Sequence, residues 1–277
     1  MKKLSVIIIF GFIYLSMISC QTKKGILNLE SRFYTDSIYS NFLSEYRKHK
    51  IYLPKGFNKK KKYPIIYATD GNSDITQKKH ALDSLINNKI IKPVIFIASY
   101  SNDKIVDSTS IKTGDGKKVY LTYRNFEYVN RKDSLLANRF QNHMLYFIDE
   151  LIPQVEKNFN QNLNKKDRHF YGVSNGAGFG LSLLNTYPNT IGTYICFSTF
   201  GGDIQTNTWQ KDVKYPNLYL YYGSEEPFFL KIEAEFLKSK YKELNLTYET
   251  KEYNGGHSNK NWSDEFNKIV SKLIKTN

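Results

Sequence analysis

Cysteine is scarce in this sequence, because the 277 residues contain only Cys20 and Cys196. Cys20 ends an apolar N-terminal segment that we predict to be processed, so Cys196 is expected to be the one free thiol of the mature chain. No intramolecular disulfide can then hold the fold, and its stability has to come from a hydrophobic core. Cys196 lies in the strand-like apolar run 191–197, and we interpret it as a small buried side chain rather than a reactive thiol.

The N-terminal apolar run, residues 4–18, is too short to cross a membrane, which takes roughly 20 residues. Lys2 and Lys3 precede it, a pattern typical of a signal peptide. Residues 17–20, Met-Ile-Ser-Cys, resemble a bacterial lipobox, in which the cysteine receives lipid and becomes the mature N-terminus. We therefore predict an exported lipoprotein, periplasmic or at the cell surface, that is anchored to the membrane by lipid on Cys20. An ordinary cleaved signal with a chance cysteine is the alternative.

Acidic residues are too few to balance the basic ones: 26 Asp and Glu stand against 40 Lys and Arg, a net charge of +14. The charge falls to +12 once Lys2 and Lys3 leave with the signal peptide. The lysines are scattered, apart from 59–62, and no nucleic-acid motif accompanies them. We interpret the charge as a solvated basic surface and expect no nucleic-acid partner. Attraction to an anionic membrane or polysaccharide is the alternative.

The sequence also lacks a cluster of metal ligands, a nucleotide-binding loop, an internal repeat and a low-complexity tract, so it implies no metal and no cofactor. Strand-like and helix-like periods alternate instead, which predicts one α/β domain with a central, mostly parallel sheet and helices on both faces. Eight strands are predicted, at 31–37, 46–53, 63–69, 93–99, 168–173, 192–197, 216–222 and 246–253. Helices are predicted at 74–88, 138–159, 175–187, 229–243 and 260–275. The polar connection 100–137 is predicted to be a long loop beside the acyl or alcohol pocket.

The pattern GxSxG occurs at residues 172–176, Gly-Val-Ser-Asn-Gly. It directly follows the apolar run 168–171 and precedes the helix-like stretch 177–187. In a nucleophile elbow a serine stands at the tip of a sharp strand-to-helix turn, and small residues two positions to either side let the two arms pass. The motif therefore predicts that Ser174 is a nucleophile.

An acid and a histidine follow this serine, each after a predicted strand. The aromatic and branched run 215–222 leads to Glu225 and Glu226, and the alternating run 246–253 leads to His257. A serine hydroxyl becomes nucleophilic when a neutral imidazole takes its proton, and a carboxylate orients that imidazole. We predict His257 as general base and then general acid, and Glu226 as the orienting carboxylate. The neighbouring Glu225 is the alternative, since only geometry can choose between them.

A tetrahedral intermediate needs two hydrogen-bond donors for its oxyanion, each contributing on the order of 3 kcal/mol to the rate. The backbone N–H of Asn175 is one predicted donor, because it follows the nucleophile at the start of a helix. The second is expected from the loop after the predicted strand 63–69, where the N–H of Gly71 or of Asn72 is the candidate.

Further candidates for the substrate pocket lie in the connection 100–137 and near His257. We interpret Arg124 and Glu127 as a structural ion pair that holds the connection, with contact to substrate as the alternative. Among the aromatic residues, Trp262 is the best candidate for a pocket wall, because it follows His257 by five residues. Filling the core is the alternative role for it.

These blocks together resemble the esterase branch of the α/β-hydrolase superfamily, which contains esterase D, siderophore esterases, feruloyl and acetyl-xylan esterases and the mycolyltransferases. The resemblance runs from about Ser37 to the C-terminus. Its marks are IYLPKGF at 51–57, YPIIYATDG at 63–71, RNFEY at 124–128, FIDELIPQVEKNF at 147–159, GVSNGAGFGL at 172–181 and GGHSNKNW at 255–262. It implies the α/β-hydrolase fold, with a nucleophile, an acid and a histidine in that order along the chain.

Together with the N-terminal pattern, these motifs predict a lipoprotein signal peptide at 1–19, a tether at 20–27 and an α/β-hydrolase esterase domain at 28–277. In this family the acid is usually aspartate, and some siderophore esterases work with a dyad of serine and histidine. Glu226 is therefore expected either to orient His257 or to contribute little.

The function implied is a serine carboxylesterase that cleaves an ester through an acyl-enzyme intermediate. A siderophore ester, an acylated sugar or polysaccharide, and a small acyl ester each suit the family as substrate. An acyltransferase with the same serine and histidine is one alternative, and a non-catalytic binding lipoprotein with a hydrolase fold is the other.

Overall fold

The computed structural model describes residues 30–112, 118–131, 136–201 and 204–276. The predicted signal peptide, Cys20 and the tether lie outside the described residues, and they stay predictions. Among the helices of the described part, none combines the length and apolarity that a membrane span requires.

An eight-stranded sheet forms the centre of the molecule. The strands of the described residues are β1 (Arg32–Ser40), β2 (Glu45–Leu53), β3 (Ile65–Ala68), β4 (Ile95–Ser99), β5 (Ile105–Lys112), β6 (Lys118–Thr122), β7 (Arg168–Val173), β8 (Thr193–Phe197), β9 (Asn217–Gly223) and β10 (Tyr248–Tyr253). The sheet has the order β1-β2-β4-β3-β7-β8-β9-β10. β2 is antiparallel to both of its neighbours, and every other pair is parallel. The eight predicted strands coincide with these eight, and the predicted α/β fold is confirmed.

Helices cover both faces of this sheet. They are α1 (Thr76–Asn87), α2 (Tyr123–Glu127), α3 (Arg139–Leu145), α4 (Ile152–Asn158), α5 (Asn175–Thr186), α6 (Phe228–Glu243) and α7 (Asn259–Leu273). The residues between α3 and α4, Tyr146–Leu151, form a π-helix, so the predicted helix 138–159 is continuous but irregular at its centre. The core on one face contains side chains of the α3–α4 helix, α5 and α6, and the core on the other face contains side chains of α1 and α7.

The central strands are apolar along their whole length because both of their faces are covered. β3, β4 and β8 are buried at every position, as parallel strands between two helical layers must be. Cys196 in β8 is fully buried, and this burial raises the pKa of its thiol. The prediction that Cys196 is a small buried side chain is therefore confirmed.

The connection 100–137 is not the long loop that the sequence predicts. It contains the antiparallel hairpin of β5 and β6 and the short helix α2. β5 is mostly polar, with the sequence Ile-Val-Asp-Ser-Thr-Ser-Ile-Lys. The described side chains of β6 are exposed or only half-buried, so neither strand has the long apolar run that indicates a buried strand.

The predicted ion pair between Arg124 and Glu127 is wrong, since each residue pairs with a different partner. Glu127 in α2 is completely buried, and its carboxylate accepts hydrogen bonds from Arg47 of β2 at 3.0 Å and from Arg139 of α3 at 2.6 Å. His143 lies 3.5 Å from the same carboxylate, and burial together with the two arginines holds the pKa of His143 well below its usual range. Glu127 therefore fastens α2 to the sheet and to α3, and cannot touch substrate.

Replacing Glu127 by Gln is expected to lower the free energy of unfolding by about 3 kcal/mol, because two buried arginines lose their shared counter-charge. Glu45, which contacts both arginines, keeps the loss at the lower end of the range for broken buried pairs. Urea unfolding measures the effect. The matched control is Glu235→Gln, which removes an exposed pair with Lys238 and should change stability by less than about 1 kcal/mol. Equal unfolding midpoints for the two variants would contradict this account.

Candidate active site

Ser174 stands at the turn between β7 and α5 in the conformation that a nucleophile elbow requires. Its backbone has φ 52° and ψ −128°, a region that costs free energy for any residue other than glycine. Hydrogen bonds hold it there: its N–H donates to the carbonyl of Phe197 at 2.9 Å, and its carbonyl accepts from the N–H of Phe200 at 3.3 Å. These hydrogen bonds from β8 and from the loop after it keep the serine backbone in its strained conformation. The turn places Ser174 at the carboxyl edge of the sheet.

The glycines on either side of Ser174 are required by close backbone contact. A Cβ atom on Gly172 would lie 2.7 Å from the backbone of Gly176, so the two arms of the turn would collide. A Cβ atom on Gly176 would lie 2.2 Å from the hydroxyl of Thr69 and 2.8 Å from the carboxylate of Asp70, in the loop after β3. The small residues of the motif therefore serve the steric purpose that the sequence predicts.

Glu226 and His257 come together from two different loops of the same sheet edge. Glu226 follows β9 and His257 follows β10, and the Nδ1 atom of His257 lies 3.5 Å from Oε1 of Glu226. The carboxylate of Glu226 is fully buried, whereas the His257 side chain is 40% exposed. Glu225, in contrast, is exposed to solvent, and no described hydrogen bond joins its carboxylate to His257. Of the two acids, only Glu226 is placed to orient the imidazole.

A network of hydrogen bonds around Glu226 was not found from the sequence. The Ser198 hydroxyl donates to Oε1 of Glu226, and the Tyr253 hydroxyl donates to the same oxygen at 3.1 Å. The indole N–H of Trp262 donates to the Ser198 oxygen at 2.7 Å. The available signal was positional, because Ser198 directly follows β8 and Tyr253 is the last residue of β10. Polar side chains at the carboxyl ends of parallel strands meet at one edge.

This network determines the ionisation of Glu226. Burial opposes ionisation, but hydrogen bonds from His257, Ser198 and Tyr253 outweigh it and lower the pKa of Glu226. The carboxylate is therefore charged at neutral pH and favours the positive form of the imidazole next to it. Its second oxygen, Oε2, is buried without a hydrogen-bond partner in the described structure.

Trp262 belongs to the hydrogen-bond network around Glu226, because its indole N–H donates to Ser198. The side chain is 8% exposed, and its ring meets the ring of His257 edge to face with centroids 4.7 Å apart. Trp262 also lines a small cavity together with Val173, the residue before Ser174. It packs between the nucleophile turn and the histidine loop, and direct contact with substrate stays a prediction.

Ser174 and His257 lie at the same sheet edge, but no described hydrogen bond joins the serine hydroxyl to the imidazole. The cavity shared by Val173 and Trp262 links the two segments, and Trp262 in turn touches His257. Catalytic hydrogen bonds are often long without substrate and shorten in the complex. The roles of Ser174, His257 and Glu226 therefore remain predictions that this arrangement favours.

The predicted second oxyanion donor has to be corrected. The N–H of Gly71 donates to the carbonyl of Ser99 at 2.8 Å, so it is not free for an oxyanion. Asn72 remains, and its side-chain oxygen accepts hydrogen bonds from the N–H and the hydroxyl of Ser101 at 3.1 and 2.8 Å, which hold the loop. The first candidate, Asn175, occupies the first position of α5, where a backbone N–H has no partner within the helix.

Arg124 lies beside the nucleophile turn, with its charge already paired. Its guanidinium donates to both oxygens of Asp70, at 2.7 and 3.1 Å, and to the side-chain oxygen of Asn175 at 3.4 Å. Burial opposes its charge, but the contacts with Asp70 outweigh this and raise the pKa of Arg124. Arg124 thus ties the loop after β3 to the start of α5, the two segments that carry the candidate oxyanion donors. A contact with substrate remains a prediction.

A strained serine between a central parallel strand and a helix, on a sheet of this order, defines the α/β-hydrolase class of proteins. The family model described as "Putative esterase" matches residues 40–273. The chain belongs to this family and is a carboxylic ester hydrolase, which confirms the resemblance that its sequence motifs indicate.

Solved structures with the same fold include two esterases and a serine hydrolase, each with low sequence identity to this chain. A ferulic acid esterase from Anaeromyces mucronatus, in complex with ferulic acid, is 16% identical with a TM-score of 0.65, and the match covers 87% of this chain and 90% of that one. An IroE-like serine hydrolase from Shewanella oneidensis is 16% identical with a TM-score of 0.64, over 88% and 80% of the two chains. Enterochelin esterase from Shigella flexneri is 15% identical with a TM-score of 0.65, over 87% and 57%. No curated protein matches the chain.

Proposed function

We propose that this esterase hydrolyses its substrate through an acyl-enzyme formed on Ser174. The contact between His257 and the buried carboxylate of Glu226 is the observation that carries the proposal. A buried, charged carboxylate beside one nitrogen of an exposed imidazole leaves the other nitrogen to act on a serine hydroxyl. Ser174 is the serine that the elbow holds at this edge of the sheet.

The reaction proceeds in two stages, acylation of Ser174 by the ester and hydrolysis of the acyl-enzyme by water. His257 takes the proton of Ser174 as its oxygen bonds to the acyl carbon, and Glu226 stabilises the resulting imidazolium. The backbone N–H groups of Asn175 and Asn72 stabilise the oxyanion. His257 then gives the proton to the departing alcohol, which leaves as the ester bond breaks. His257 then takes a proton from a water molecule as the water oxygen bonds to the acyl carbon, and it returns this proton to the Ser174 oxygen as the bond between that oxygen and the acyl carbon breaks, which releases the acid.

Three substrate classes fit the proposal: a siderophore ester, an acylated sugar or polysaccharide, and a small acyl ester. The names of the structural neighbours support the first two classes, because they include an enterochelin esterase and a ferulic acid esterase. We also propose that the protein is exported and attached to a membrane by lipid on Cys20, which the lipobox-like residues 17–20 support.

Labelling with a fluorophosphonate and a hydrolysis screen test this function together. The purified mature protein is expected to react with the fluorophosphonate and to hydrolyse at least one ester in a panel of siderophores, feruloylated and acetylated sugars and short acyl esters. Circular dichroism establishes that the protein is folded. A folded protein that neither reacts with the probe nor hydrolyses any ester of the panel would overturn the proposal.

A further inference from the structure

Three phenylalanine rings form an exposed apolar surface next to the nucleophile turn. Phe200, Phe228 and Phe229 are 40%, 74% and 42% exposed. The rings of Phe200 and Phe229 lie 5.5 Å apart and those of Phe228 and Phe229 lie 6.0 Å apart, both edge to face. We call these three residues the aromatic platform. Rings of this size are normally removed from water, so a contiguous exposed set marks a binding surface.

The backbone connects one side of the platform to the nucleophile. The N–H of Phe200 donates to the carbonyl of Ser174 at 3.3 Å, and the carbonyl of Phe200 accepts from the side chain of Asn175 at 3.3 Å. Phe200 is therefore held directly against the elbow. The backbone of the residue that carries this ring is thus bonded to the nucleophile residue itself.

The other side of the platform is connected to the acid. Phe228 begins α6 two residues after Glu226. Glu233, one turn further along the helix, accepts a hydrogen bond from the N–H of Gly201 at 3.3 Å and so ties α6 to the segment that carries Phe200. The platform thus spans the space between the nucleophile loop and the acid loop, and two fixed backbone segments hold its rings.

We propose that the aromatic platform binds an aryl group of the ester substrate; this inference rests on the proposed function. Aromatic rings attract one another in offset and edge-to-face geometry, beyond the burial of their area. Phe200, Phe228 and Phe229 already meet one another edge to face, and an aryl group can extend the same geometry. The platform therefore selects esters that carry an aryl group on either side of the scissile bond.

Selectivity between an aryl ester and methyl acetate tests the proposal. Methyl benzoate places the aryl group on the acyl side and phenyl acetate places it on the alcohol side. In Phe228→Ala and Phe229→Ala the ratio of kcat/KM for the preferred aryl ester to that for methyl acetate is expected to fall about tenfold. Phe228→Tyr keeps the ring and should keep the ratio close to that of the wild type. Tyr34→Ala, which removes an exposed ring from β1 at the far edge of the sheet, is the matched control.

The outcomes separate this inference from the proposed function. If the wild type hydrolyses the esters and the alanine variants leave the ratio unchanged, the platform does not bind the substrate, while the proposed function stands. If the variants change the molar mass in light scattering and not the ratio, the platform is an interface between copies of the chain, and the inference is wrong. If the folded wild type hydrolyses none of the esters and resists the fluorophosphonate, both proposals are overturned.

Discussion

Ser174→Ala is expected to lower kcat by about 10⁶-fold on any ester that the wild type hydrolyses, and to abolish fluorophosphonate labelling. The variant keeps the backbone of the elbow but removes the oxygen that forms the acyl-enzyme. Because a positive φ costs alanine as much as serine, the fold should survive, and the unfolding midpoint should stay close to that of the wild type. Steady-state hydrolysis and gel fluorescence of the labelled protein measure the two effects.

Ser84→Ala is the control for this experiment, because Ser84 is an exposed residue of α1. It should retain the kcat of the wild type and the label. If folded Ser174→Ala hydrolyses the ester within about tenfold of the wild-type rate, another group is the nucleophile. The proposed triad is then wrong, although the protein remains an esterase.

The sequence predicted the sheet well because the physical signal was strong. Parallel strands such as β4 and β8 are buried on both faces, so they must be continuous apolar runs, and such runs stand out in a polar chain. The hairpin of β5 and β6 lies outside that sheet and gives no such signal. The partners of Glu127 were missed for a different reason: Arg47 lies 80 residues away and Arg139 lies 12 residues away, and only the packed fold brings the three side chains together.

In the candidate site, too, the sequence predicts contacts between residues that are close along the chain and misses contacts between distant segments. The close contact between Gly172 and Gly176 lies within the five-residue motif, so the motif predicts it, whereas the contact of Gly176 with Thr69 is not local and the motif does not contain it. The choice between Gly71 and Asn72 depends on a hydrogen bond to Ser99 in another strand. The support of Glu226 by Ser198 likewise depends on the order of neighbouring strands, which a motif does not contain.

Glu226→Gln is expected to lower kcat by about 10³ to 10⁴-fold if the site works as a triad. The amide has nearly the shape of the carboxylate, but it carries no charge to stabilise the imidazolium. The neighbours Ser198 and Tyr253 both donate to this side chain, so an amide oxygen can still satisfy them and the loop should keep its position. The measured loss then reports on the missing charge more than on folding.

Glu225→Gln is the matched control, because it makes the same chemical change one residue away on an exposed side chain. It should leave kcat within about twofold of the wild type. A loss of less than tenfold in Glu226→Gln would mean that the serine and histidine act as a dyad, and that the buried contact of 3.5 Å positions the loop without assisting the reaction. A large loss in Glu225→Gln and a small one in Glu226→Gln would reverse the assignment of the acid. The pair of variants therefore decides whether the contact between Glu226 and His257 is catalytic, because the same chemical change is made once at the buried glutamate beside the imidazole and once at its exposed neighbour.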